Sequence, residues 1–291
     1  MPEDSDLLLA RTKALLRQFH LHAKKGLGQH FLIDPAMLEV SVAAAEISPS
    51  DTIVEVGPGL GVLTEKLGKS ARKVIAIEVD NRIVVHLKKL FSQQTNISIL
   101  NEDVLKIDIS DLLENQMPDS NLNYKVVANL PYYIAAPIIR QFLEARITPR
   151  RMVVMVQKEV AESIAAIPGK MSLLGVSVQL YGKPHIVEYV PAKSFYPSPK
   201  VDSAIVRIDV YEHPIVEVDI GGFFKVVKAG FSAPRKQLRN ALAQGLAIPP
   251  NDAADILNRA GISSQRRAET LNLDEWAELH RTVNSNTFTG N

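Results

Sequence analysis

The sequence predicts an α/β protein: a doubly wound, seven-stranded, mostly parallel sheet with an antiparallel last strand, followed by a small helical domain. Three observations carry that prediction. Short runs of β-branched residues alternate with helical stretches. A glycine-rich loop falls where the first of those runs gives way to a helix. Beyond Tyr211 the strand pattern stops and only helical segments follow.

Asp34-Pro35 reads as a helix cap and first helical residue, since an aspartate there accepts from the free amides and proline needs no donor. The runs Thr52 to Val56, Lys73 to Ile77, Ile97 to Leu100, Tyr124 to Ala128 and Met152 to Val156 are apolar on both faces, as buried parallel strands are. Helices are expected near Leu60 to Leu67, Asn81 to Phe91 and Pro137 to Ala145, then over Lys158 to Ile167 and Leu173 to Tyr181. Two further strands are Pro184 to Val190 and Ser203 to Val210. Their connection holds Pro191, Pro197 and Pro199 and is too short for a helical crossover, which predicts antiparallel pairing. The tail reads as helices over Phe223 to Phe231, Lys236 to Ala243, Asp252 to Ala260 and Asp274 to Val283, with Trp276 as a core anchor. The expected organisation is an extension over 1–23, a catalytic domain over 24–213 and a helical domain over 214–291.

Composition narrows the function. The chain has 291 residues, 46% of them hydrophobic, enough for a sizeable core. It has no cysteine, which excludes disulfides and thiolate metal sites and fits a reducing compartment. No apolar run is long enough for a membrane helix, and His20, His22, His86, His185, His213 and His280 show no metal-ligand spacing with carboxylates. Net charge is +1, so any nucleic-acid surface must be local. Two acid-free stretches qualify: Leu7 to Ile33, with Arg11, Lys13, Arg17, Lys24 and Lys25, and Lys225 to Asn240, with Lys225, Lys228, Arg235, Lys236 and Arg239. The acids Glu3, Asp4 and Asp6 argue against reading the basic amino-terminal arm as a transit peptide.

Chemistry-bearing residues gather at the carboxyl ends of successive strands, the edge where open α/β sheets bind ligands. Glu55-Val56-Gly57-Pro58-Gly59-Leu60-Gly61 lets the backbone turn sharply and a ligand approach closely. A dinucleotide fingerprint would want glycine or alanine at position 62, where the chain has Val62. Glu78 ends the next strand about 20 residues on and is placed to accept ribose hydroxyls, although Asp80 lies close by. Asp103, after the third strand, is placed to accept from an adenine amine. Together they imply an adenosine-containing cofactor. After the fourth strand comes Asn129-Leu130-Pro131-Tyr132. An exocyclic aromatic amine is a poor nucleophile because its lone pair is delocalised. The Asn129 side-chain oxygen, with the Leu130 or Pro131 carbonyl, can hold such an amine pyramidal, and Tyr132 can stack on the ring. The remaining requirement is alignment, and that chemistry asks for no metal and no strong base.

With these motifs in view the chain resembles the ribosomal RNA adenine dimethyltransferase family, most closely its KsgA type. The resemblance runs from about Lys24 into the carboxyl-terminal domain. It rests on Gly28-Gln29-His30-Phe31-Leu32, Glu55 to Gly59, Asn129 to Tyr132, Gln157-Lys158-Glu159-Val160, Phe195 to Ala204 and the basic Arg235 to Asn240. It implies a Rossmann-like class I methyltransferase using S-adenosyl-L-methionine, with cofactor contacts from His30, Leu32, Gly57, Gly59, Glu78, Asp103 and Asn129. It implies a target amine held by Asn129, Leu130, Pro131 and Tyr132, with Phe195 stacking opposite Tyr132, and RNA bound by Arg235, Lys236 and Arg239. His30 and Tyr133 stand where the family usually has asparagine. The implied substrate is two adjacent adenosines in a hairpin loop near the 3′ end of small-subunit (16S) rRNA, each N6,N6-dimethylated on an immature 30S subunit during ribosome biogenesis. A cytoplasmic monomer, free of metal and membrane, is expected.

Leu130, the Phe195 to Ala204 motif and the basic tail segment favour the small-subunit type over antibiotic-resistance dimethyltransferases of large-subunit rRNA. The intact Asn129 to Tyr132 loop and Glu78 argue against an RNA-binding assembly or transcription factor with vestigial chemistry. Val62 and the catalytic loop disfavour a nicotinamide-linked dehydrogenase.

Overall fold

The computed structural model describes residues 2–18, 29–117 and 123–287. The chain forms two compact units, one of Met1–Ala161 with Lys183–Glu212, the other of Glu162–Gly182 with His213–Asn291.

The first unit opens with helix α1 (Pro2–Gln18), a two-residue strand β1 (Phe31–Leu32) and helix α2 (Pro35–Ala45). As its sequence requires, α2 is capped by Asp34, whose side chain accepts from the Ala36 amide at 3.1 Å. Alternation then sets in: β2 (Thr52–Val56), α3 (Val62–Ser70), β3 (Lys73–Glu78), α4 (Asn81–Leu90), β4 (Ile97–Asn101), α5 (Ile109–Gln116), β5 (Tyr124–Asn129), α6 (Ala135–Leu143) and β6 (Arg151–Gln157). Helix α7 (Lys158–Ile164) carries the chain into the second unit, where α8 (Leu173–Gln179) follows. Strand β7 (Gly182–Val190) returns it, and β8 (Phe195–Tyr196) and β9 (Ser203–Val210) complete the first unit.

The seven-stranded sheet has the order β4-β3-β2-β5-β6-β9-β7. Strands β2 to β6 pair in parallel, with Val54 opposite Ile75 and Val126 opposite Met152. Strand β9 runs antiparallel to β6, Val206 opposite Val154, and lies beside β7. All five residues of β2 are buried, as expected of a strand covered on both faces. From β2 the chain winds outward through β3 and β4, then winds the other way through β5 and β6. The order therefore reverses between β2 and β5, and a crevice opens at their carboxyl ends. A separate two-stranded ribbon pairs β1 with β8, Phe31 opposite Tyr196 and Leu32 opposite Phe195.

In the second unit, α9 (Ile220–Gly230), α10 (Leu238–Leu246), α11 (Pro250–Arg259) and α12 (Leu273–Thr287) surround one apolar core. Trp276 is fully buried in it, against Phe231 with ring centroids 5.6 Å apart. Met171, Val176 and Leu180 belong to the same cluster as Phe223 and Leu242. Residues 162–182 were expected in the catalytic domain and instead belong to the helical unit, because that core is where their apolar side chains are buried. Similarly, Lys236 was expected to open a helix but lies, with Arg235, in the turn before α10, whose first residue is Leu238.

Candidate active site

Four loops from the carboxyl ends of β2, β3, β4 and β5 line one cavity of about 280 Å³. Its walls include Gly57, Gly59, Glu78, Asp103 and Asn129 through Tyr132, joined by His30 and Leu32 from the β1 region. The glycines are there for steric reasons. Gly57, Gly59 and Gly61 all have positive φ, at 67°, 55° and 84°. A Cβ on Gly61 would sit 2.8 Å from Leu87 Cδ2, whereas one on Gly57 would project toward the Asn129 carbonyl and Pro131, 3.8 Å away. Gly61 thus lets α4 pack close, and Gly57 keeps open the space between glycine loop and catalytic loop.

Two carboxylates are buried beside the glycine loop. Glu78 is 6% exposed; burial raises its pKa, and the backbone amides of Asp80, Gly59 and Val79 pull it part of the way back. The Asp80 amide donates to Glu78 Oε1 at 2.9 Å. Asp80 itself turns away, caps α4 by accepting from Arg82 N and pairs with the Arg82 side chain at 3.1 Å. Of the two acids, Glu78 lines the cavity and Asp80 does not. Asp103 caps the turn that follows β4, accepting from Leu105 N at 3.2 Å, and remains half-buried at the cavity wall.

Glu55 is the residue the sequence reading passed over. It is 1% exposed, lines the cavity, and its Oε2 has no hydrogen-bond partner. Desolvation pushes its pKa up to about 8, with nearby Glu78 adding to the rise and Thr64 opposing it. The available signal was an acid inside an otherwise β-branched strand. Glu55 stays protonated in the folded ligand-free protein at neutral pH but ionises near 4.5 when unfolded. The stability held by that proton is complete below the unfolded value and lost as pH rises through the folded one. Glu55→Gln should therefore gain stability over the parent as pH rises from about 5 to about 9, by on the order of several °C in Tm. Thermal melts of ligand-free protein across that range check this; parallel Tm–pH curves would show that Glu55 ionises without penalty.

Hydrogen bonds from neighbouring segments shape the Asn129 to Tyr132 loop. Asn129 closes β5, and its Nδ2 donates to the His30 carbonyl at 3.4 Å, which leaves Oδ1 as the acceptor. The Leu130 amide donates to Met155 O at 3.1 Å, and the Pro131 carbonyl accepts from Ile134 N at 3.2 Å. The Tyr132 hydroxyl shares a 2.6 Å hydrogen bond with Ser203, which fixes the ring. His30 lies on that ring, centroids 5.6 Å apart and planes 22° from parallel, with its Nδ1 2.7 Å from Pro197 O.

Phe195 is not placed as the sequence suggested. It is 2% exposed and packed with Leu32, Leu38 and Val190, and it does not line the cavity. Pairing of β8 with β1 turns its ring into the core, so the aromatic group facing Tyr132 is His30. In the helical unit Arg235 and Lys236 are exposed, and Arg239 is half-buried with its Nε 3.4 Å from Asn240 Oδ1. In the amino-terminal basic run, Arg11 and Lys13 face protein partners, Glu65 and the Tyr196 ring. Lys24, Lys25 and Gly28 lie outside the described residues.

The cavity at the switch point is thus walled by open glycines, the buried Glu78 carboxylate and the Asn129 to Tyr132 loop. The chain is 49% identical over 273 residues to ribosomal RNA small subunit methyltransferase A of Dehalococcoides mccartyi, covering 94% of this chain and 92% of that one. It is 42% identical to the protein of that name from Geobacillus kaustophilus over 275 residues, covering 92% of this chain and 94% of that one. Among solved structures, a dimethyladenosine transferase from Plasmodium falciparum matches with a TM-score of 0.75 at 28% identity, over 89% of this chain and 98% of that one. The 23S rRNA methyltransferase ErmE matches with 0.67 at 26%, over 87% and 99%. The family model described as ribosomal RNA adenine dimethylase matches residues 20–284, catalytic loops and helical unit together, and the chain therefore belongs to the ribosomal RNA adenine dimethylase family.

Proposed function

We propose that this chain dimethylates N6 of two adjacent adenosines in small-subunit ribosomal RNA, taking each of the four methyl groups from a separate S-adenosylmethionine while the subunit is still being assembled. The observation that carries the reading is the opening of the glycine loop, Glu78 and the Asn129 to Tyr132 loop onto one cavity. The residues present suit such a donor. Gly57 leaves room that a Cβ would fill, and Glu78 offers a carboxylate to a ribose. Glu55 supplies a buried carboxyl with an orphaned oxygen near where a cationic ligand would lie.

When bound, the donor supplies an electrophilic sulfonium methyl. The protein's own part is orientation. Glu78 and Asp103 hold the two ends of an adenosine, and His30, Leu32 and Gly59 shape its surroundings. Asn129 Oδ1 and the Leu130 carbonyl accept from the target amine, keeping it pyramidal with its lone pair directed inward. Leu130 is preferred over Pro131 because the Pro131 carbonyl already accepts from Ile134. The Tyr132 ring, held by Ser203, receives the face of the base once His30 yields it. A loop adenosine suits this pocket because an unstacked base costs least to extrude.

The deciding experiment uses purified small and large ribosomal subunits lacking the modification. Mass spectrometry of nucleosides should find N6,N6-dimethyladenosine in the small-subunit RNA; product in large-subunit RNA alone would reverse the assignment. Arg235, Lys236 and Arg239 are proposed phosphate contacts. Neutralising all three should weaken RNA binding and flatten its log K–log salt slope by about 2–3 units, with donor affinity unchanged. An unaltered slope would place the RNA elsewhere.

A further inference from the structure

Helix α1 lies outside the family match, which begins at residue 20. Its inner face is nevertheless built into the cavity region. Thr12 is 1% exposed and lines the same cavity as Gly57, Glu78 and Asn129. Leu16 packs in one cluster with Phe31, Leu60, Ile83 and Leu87, which come from β1, the glycine loop and α4. Two polar contacts flank this apolar anchor. Arg11 donates to Glu65 Oε2 at 3.5 Å, on the helix that starts directly after the glycine loop. Lys13 Nζ stands 5.2 Å from the centre of the Tyr196 ring.

We infer that α1 is the outer wall and gate of the cofactor cavity, and that Thr12 is its cofactor-facing residue. The inference rests on the reading that this cavity takes S-adenosylmethionine. A helix that supplies one wall of the cavity controls, by its position, how readily the donor enters and the demethylated product departs. Its attachments suit that task. Exposed ion pairs contribute little, a cation over the half-buried Tyr196 ring adds modestly, and the buried contact is confined to one side of the helix. Elements that open locally are held in this way. Closed, α1 screens the reacting groups from water; open, it exposes the glycine loop.

The chain has no cysteine, so Arg11→Cys with Glu65→Cys provides the only two thiols. A cleavable bifunctional thiol reagent then ties α1 to α3 in the full-length protein. Protein loaded with radiolabelled S-adenosylhomocysteine before bridging should release it at least tenfold more slowly than after the bridge is cleaved. Empty bridged protein should also take it up more slowly. Leu16→Ala in the unbridged chain loosens α1 from the opposite direction and should speed release several-fold. Equal release rates in the bridged, cleaved and Leu16→Ala proteins would overturn the gate. Absence of any binding to the unmodified protein by calorimetry would instead overturn the cofactor reading beneath it.

Discussion

Asn129→Ala is expected to lower the rate of methyl transfer roughly 10²–10³-fold, the loss that follows removal of one preorganised hydrogen-bonding group at a reacting centre. The side chain is half-buried at the end of β5, and its hydrogen bond to the His30 carbonyl is long at 3.4 Å. Truncation therefore removes the proposed amine acceptor while leaving the Asn129 backbone paired opposite Met155. The thermal midpoint should barely move. Single-turnover transfer to unmodified small subunits, with donor affinity measured beside it, separates the outcomes. A fall in transfer with donor affinity within a few-fold of the parent supports the amine geometry. Unchanged transfer would show that the amine is held by other groups.

Trp276→Ala is expected to destabilise the helical unit by roughly 3–5 kcal/mol, the range for emptying a large aromatic site in a core. Trp276 is fully buried and sits where Phe231, Gly230 and the surrounding aliphatic side chains meet. Gly230 supplies an internal check. A Cβ there would fall 2.4 Å from Trp276 Cη2, a packed ring with no free space to yield. Gly230→Ala should thus destabilise the parent despite the better helix propensity of alanine, worth about 1 kcal/mol. In the Trp276→Ala background the clash is gone, and the same change should become neutral or stabilising. Denaturant melts of the four proteins form a double-mutant cycle. Additive effects would mean that Gly230 is not chosen for the tryptophan.

Much of the fold was legible because the signals are local. The runs later found as β2, β3, β4, β5, β6, β7 and β9 were each recognisable from their β-branched residues, with ends within one or two positions. Asp34-Pro35 announced α2 through its own capping chemistry. Helix α5 was passed over although Asp108 caps it in the same manner, accepting from Ser110 and Asp111, because its eight residues are too few for a clear period. Strands β1 and β8 are shorter still and exist only as each other's partner.

For the site, sequence order alone placed Gly57, Glu78, Asp103 and Asn129 at strand ends, since a parallel sheet brings all such ends to one edge. That reasoning works because strand direction and loop position are properties of the chain itself. Which ring faces Tyr132, which of Glu78 and Asp80 turns inward, where residues 162–182 are buried and what α1 covers depend on contacts between residues distant in the chain. Phe195 and His30 illustrate the difference. Both are aromatic residues in motifs, and only the pairing of β1 with β8 sends one into the core and leaves the other at the cavity. Pattern and spacing thus settle the sheet and the edge that carries the chemistry. Side-chain direction at that edge is settled by packing, because the free energy that orients a ring comes from neighbours the linear order does not name.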